Sequence, residues 1–163
     1  MPERRTVLTL AHSPDPDDAF MWWPITGKID PSGAALPGAA GKPVLDTGRF
    51  EFRALPADIE ALNRRALEKG DLDITALSVR CYADVKDRYV ITACGGSFGE
   101  GFGPRVVCRA DDQRIGGANS LRSPGLAIAV PGAKTTAFLL LGMILGPKSM
   151  NVPARFVEYP FDQ

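Results

Sequence analysis

Four stretches of this 163-residue chain hold side chains able to do chemistry. In "PGAKTTAF", Pro131 to Phe138, a strand-like run ends in Pro-Gly and a helix opens on two threonines. Free N–H groups at a helix start attract an anion, and hydroxyls add donors. Thr135, Thr136 and Lys134 together would suit a carboxylate or a phosphate. The plainer alternative is that Thr135 or Thr136 simply caps the helix. The Gly-x-x-x-x-Gly-Lys spacing of a triphosphate loop is absent. Ser78 closes the apolar run "LDITALS" and has no Ser-His-Asp context, so a solvated strand end is its plainer role. "GGSFGEGFGP", Gly95 to Pro104, could admit a ligand close to the backbone or act as a hinge, and an ordinary loop is the simpler reading.

The remaining stretch, "HSPDPDDAFMWW" from His12 to Trp23, packs Asp15, Asp17 and Asp18 among prolines. These carboxylates could hold Mg²⁺, yet turn formation and helix capping account for them with less. Trp22 and Trp23 read as core or cleft wall. With His12 as the one histidine, a multi-histidine metal site is excluded. Cys81, Cys94 and Cys108 are odd in number and widely spaced, which suits thiols of a reducing, cytoplasmic compartment better than a disulfide framework.

The elements that must position these residues alternate. "TVLTLA" (6–11), "RFEFRAL" (49–55), "LDITALS" (72–78), "RYVITAC" (88–94), "RVVCRA" (105–110), "GLAIAVP" (125–131) and "ARFVEYP" (154–160) read as strands. Helices are predicted over 17–27, with Asp17 as N-cap and Pro24 as its end or kink, and over 57–70, capped by Asp58 and stopped by Gly70. The second carries an apolar stripe of Ile59, Leu62, Ala66 and Leu67. A short helix at 79–86 and an apolar one within 132–145 complete the set. Residues 28–48 and 111–124 read as loops, the former as an insertion. Strand and helix in alternation predict an α/β fold with largely parallel sheets.

Composition narrows the partners. Lys plus Arg (19) balance Asp plus Glu (19), so no net field attracts nucleic acid or an anionic membrane surface. The N-terminus lacks a signal-peptide pattern, and the longest apolar run is too short to span a bilayer.

The four motifs, taken in order, resemble the 1,4-dihydroxy-6-naphthoate synthase family. "HSPDPDDAFMWWPI" resembles its opening, and "EALNRRALEKGDLDITALSVRCYADVKDRYV" its next segment. "GGSFGEGFGPRVV" and "VPGAKTTAFLLL" resemble two more. The resemblance implies a type II periplasmic-binding-protein-like fold, with two α/β lobes around a cleft. Residues 1–97, with the insertion 28–48, would form the first lobe, and 98–163 a crossover and part of the second. It implies a lyase splitting cyclic dehypoxanthinyl futalosine to 1,4-dihydroxy-6-naphthoate in menaquinone biosynthesis, with no cofactor and no metal. The alternatives are its sister, chorismate dehydratase, and a non-catalytic module binding a small carboxylate. Substrate positions carry over to Ser78, Thr135 and Thr136, and less directly to Gly101 and Gly103.

Members of this family are longer, and their base is a histidine of a His-Glu segment that would fall beyond Gln163. No catalytic residue is therefore expected within these residues, since His12 lies in the wrong segment. The chain reads as an N-terminal portion, inactive alone, with a second lobe incomplete enough to expose "TTAFLLLGMIL" and to promote association, including with copies of itself.

Overall fold

The computed structural model describes residues 5–151 and 155–160. It is α/β with two parallel sheets. Strand β1 (Thr6–His12) is central in the first, ordered β2-β1-β3. It pairs along its whole length with β2 (Phe50–Pro56), from Thr6 opposite Phe50 to His12 opposite Pro56. On its other edge only Leu10 and Ala11 pair, with β3 (Ile74–Thr75). Burial follows this pairing: Leu10 and Ala11, flanked on both sides, and His12 next to them are almost inaccessible to solvent.

The turn after β1 ties its carboxylates down. Ser13 N–H donates to Asp18 Oδ2 at 2.8 Å, and Ser13 Oγ donates to Asp15 Oδ2 at 2.6 Å. Helix α1 (Pro16–Thr26) starts one residue earlier than predicted, with Asp15 rather than Asp17 at the N-cap. The cause is Pro16, whose fixed φ and missing N–H suit the first helical position. Nor does Pro24 end α1. The helix runs two residues past it, and the Pro24 carbonyl accepts from Val44 and Leu45 N–H, each at 2.9 Å. Gly27 ends the helix at φ +79°, with Gly41 O 2.4 Å from where a Cβ would sit. The predicted loop 28–48 thus folds back over the end of α1, through an Ile29–Ala35 bridge and a 3₁₀ turn at Gly38–Gly41.

Helix α2 (Ile59–Glu68) is capped as predicted: Asp58 Oδ1 accepts from Glu60 N–H at 2.8 Å and Ala61 N–H at 3.2 Å. It packs Leu62 against Ala11 and Leu72. Helix α3 (Val79–Val85) follows Ser78 directly. The predicted strands at 88–94 and 105–110 do not form. Among the described residues no strand lies beside either one, and an unpaired strand has no ladder for its backbone groups. Val90, Ile91 and Val107 consequently face solvent.

The second sheet pairs β4 (Ile128–Val130) with β5 (Phe156–Glu158). Ala154, the predicted start of that last strand, lies outside the described residues. Helix α4 (Thr136–Leu145) covers the sheet, followed by the short α5 (Pro147–Met150). Leu121, Ile128, Val130, Leu141 and Leu145 form a core of their own. Phe138 meets Phe156 edge-to-face at 5.3 Å. As the apolar sequence of α4 implied, Leu139, Leu140, Met143 and Ile144 stay exposed.

Asp18 yields a test of the β1–α1 turn. Burial raises its pKa above the ordinary 3.8, against the opposing pull of the Ser13 N–H. The unfolded chain then loses this proton first as pH rises, so stability should fall between 3.8 and the raised folded value. Asp18→Asn, which keeps an acceptor for Ser13, should abolish that slope. Asp18→Ala should cost about 1 kcal/mol. Denaturant midpoints measured across acidic pH check all three outcomes.

Candidate functional site

Three helix starts meet between the two sheets. The first turn of α2 brings Glu60, the start of α3 brings Ser78 and Arg80, and the start of α4 brings the Gly132–Thr136 turn. Asn63 sits at their centre with no solvent exposure. Its Oδ1 accepts from Ser78 N–H at 3.0 Å, while its Nδ2 donates to Ser78 Oγ at 3.1 Å and to Glu60 Oε2 at 3.2 Å. Chemistry settles which amide atom is which: a backbone N–H can only donate, so oxygen must face Ser78 N.

Glu60 is buried, and both its carboxylate oxygens lie 3.2 Å from the Lys134 N–H. Arg64 Nε donates to it at 3.3 Å. The approach requires Gly132, since a Cβ there would lie 2.3 Å from Glu60 Cγ and Cδ. Nearby, Ala133 N–H donates to Glu158 Oε1 at 3.2 Å, and Arg64 also pairs with Glu158. The anion expected at this helix start is therefore present, but it is supplied by the chain's own carboxylates. Lys134 adds no free charge for a ligand, because its Nζ pairs with Asp84 at 3.0 Å.

The predicted site residues divide. Thr135 is buried and spent on structure, accepting from Phe138 N–H at 3.2 Å and donating to Gly132 O at 2.8 Å. The capping alternative holds for its side chain. Thr136 faces the other way: its Oγ1 accepts from Arg80 N–H at 3.3 Å, joining α4 to α3. Ser78 and Thr136 are thus brought together, both half-buried. Gly101 and Gly103 are exposed, with open space where a Cβ would sit, and belong to no such cluster. In the glycine stretch the close approaches are Gly96 on the Phe98 ring and Gly95 on the Trp22 ring, at 2.5 and 2.9 Å from a built Cβ. His12 is buried; its Nδ1–H donates to Ser13 O at 2.6 Å and its Nε2 has no partner among the described residues. Cys81 is buried, with its thiol pKa pushed up by that burial, while Cys94 and Cys108 are exposed.

Asn63 and Glu60 went unnoticed in the sequence. The available signal was an Asn inside the apolar stripe of an amphipathic helix, one residue after Leu62. A separate cavity of about 400 Å³ lies between residues 104–109, β4 and α4, and touches neither Ser78 nor Thr136. Among the described residues no helix is long and apolar enough to cross a membrane.

Comparison with known proteins bears on the family. A family model described as menaquinone biosynthesis matches residues 8–163. The chain belongs to that family. It is 39% identical over 138 residues to 1,4-dihydroxy-6-naphtoate synthase of Thermus thermophilus, covering 84% of this chain and 41% of that protein. It is 32% identical over 157 residues to the protein of the same name from Streptomyces coelicolor, covering 96% of this chain and 47% of that one. The chain therefore spans less than half the length of these curated relatives. No solved structure matches.

The Lys134–Asp84 pair can be checked directly. Lys134 first, and Arg80 second, hold the Asp84 carboxyl below its ordinary 3.8. Lys134→Ala should move the Asp84 titration, followed by carboxyl NMR shifts, back toward 3.8 without reaching it, because Arg80 remains at 2.9 Å. The stability this pair supplies is present above the ordinary value and disappears as pH falls through the lowered one.

Proposed function

We propose that this chain forms one wall of the substrate cleft of a lyase that converts cyclic dehypoxanthinyl futalosine to 1,4-dihydroxy-6-naphthoate in menaquinone biosynthesis. The observation that carries this is the meeting of Ser78 and Thr136, the hydroxyls that the family resemblance assigns to substrate. They come from opposite sheets, and the N–H of Arg80, two residues after Ser78, donates to Thr136 Oγ1. Each sheet with its helices corresponds to one lobe of a type II periplasmic-binding-protein-like architecture, and their junction is the cleft. The lobe division follows the sequence reading, 1–97 and 98–163.

Binding and orientation are what these residues supply. Ser78 and Thr136 offer hydroxyls that can donate to a carboxylate oxygen of a small substrate, while the N–H groups of Ala133 and Lys134 at the α4 start are already taken by Glu158 and Glu60. Gly101 and Gly103 have no part in this wall, and Thr135 holds its shape. No base is available among the described residues of the cluster: Glu60 is occupied by hydrogen-bond donors, and His12 is sealed in the first core. The family resemblance assigns the proton acceptor to a histidine that is not among these residues. The balanced charge accords with a small-molecule site rather than one for nucleic acid or an anionic membrane surface.

Calorimetry and mass spectrometry test the proposal. The chain should bind cyclic dehypoxanthinyl futalosine in preference to chorismate and should yield no product alone. Thr136→Ala should weaken binding by up to roughly tenfold, the worth of one hydrogen bond. Preference for chorismate would move the assignment to the sister dehydratase. Turnover by the chain alone would show that its own residues include the base.

A further inference from the structure

The hydrogen-bond polarity at Ser78 carries a further assignment, which rests on the reading that Ser78 meets substrate. A serine hydroxyl has one proton and two lone pairs. Asn63 must turn its oxygen to the Ser78 N–H, so its Nδ2 faces Ser78 Oγ and can only donate to it, at 3.1 Å. Glu60 Oε2, which can only accept, takes the other Nδ2 proton and enforces the same orientation. The Ser78 hydroxyl proton is then left for something else. Thr136 repeats the pattern, since its Oγ1 receives the Arg80 N–H at 3.3 Å and keeps its own proton.

We propose that Asn63 is a positioning residue that sets the polarity of the site. By donating to Ser78 Oγ it turns the hydroxyl into a donor toward the ligand, and the Ser78–Thr136 pair accordingly selects a group that only accepts, a carboxylate oxygen. The cost of burying an amide in the middle of α2 is met because all of its polar capacity toward Ser78 and Glu60 is used. A merely structural Asn would link α2 to α3 through the Ser78 N–H alone and would leave the hydroxyl unconstrained.

The polarity is readable without ligand. In Ser78→Ala, one side-chain amide proton of Asn63 should exchange faster by NMR, while the one held by Glu60 stays protected. In Asn63→Ala, the Ser78 N–H should exchange roughly tenfold faster, the loss expected for one hydrogen bond. Asn63→Asp keeps an acceptor for that N–H, so its protection should persist; the introduced oxygen shares a proton with Glu60 Oε2, which lies 3.2 Å from the atom it replaces, and its free lone pair now captures the Ser78 hydroxyl proton. Binding of cyclic dehypoxanthinyl futalosine should therefore weaken by roughly tenfold in Asn63→Asp, with no further loss on adding Asn63→Asp to Ser78→Ala. Unchanged exchange of both Asn63 protons in Ser78→Ala overturns the assignment. So does an Asn63→Asp chain that binds as tightly as wild type, or additive losses in the double variant. A wild-type chain that binds no futalosine derivative would instead remove the functional reading, and the exchange results would still decide the polarity.

Discussion

A carboxamide sealed between three helices is the constraint on which the site depends. Asn63 grips both the backbone and the side chain of Ser78, and it does so from a helix whose remaining buried side chains are mainly apolar. Burying such a group unpaired would cost a few kcal/mol, so its three hydrogen bonds specify one arrangement and penalise all others. Glu60 extends the constraint to the second sheet by reaching the Lys134 N–H across Gly132. Ser78 and the start of α4 are thereby referenced to the same helix.

That linkage crosses a polar seam. The two sheets have separate apolar cores, one around Leu62 and one around Leu141. Between them run the Glu60 bonds, the Arg80–Thr136 bond and the Arg64–Glu158 and Lys134–Asp84 pairs. The ion pairs are partly exposed and each contributes little. Direction comes from the hydrogen bonds, whose geometry tolerates less displacement than apolar contact does.

The elements legible in the sequence were those whose signal is local. Asp58 caps α2, Thr135 caps α4, and the alternation in "RFEFRAL" marks a strand, because each needs only its neighbours in the chain. The segments 88–94 and 105–110 show why apolar runs mislead: a strand requires a partner, and periodicity says nothing about whether one arrives. Pro24 is less of a breaker than its type suggests: it lies two residues from the end of α1, and a distant loop supplies donors to its carbonyl. Family likeness, not spacing, pointed to Ser78, Thr135 and Thr136, and less directly to Gly101 and Gly103. Asn63 and Glu60 were invisible because their partners lie 15 and 74 residues away. Long-range polar pairing leaves no spacing to read.

A polar seam between two apolar cores also governs cooperativity. Apolar burial couples regions into one melting unit, and little of it spans this junction. The second sheet, a ladder of three paired residues under a helix with an exposed apolar side, is the less defended half. Under mild denaturation the structure should come apart in order rather than all at once. Thr136 would lose its neighbours while Asn63 still held Ser78, so the two hydroxyls would part before the first sheet had melted.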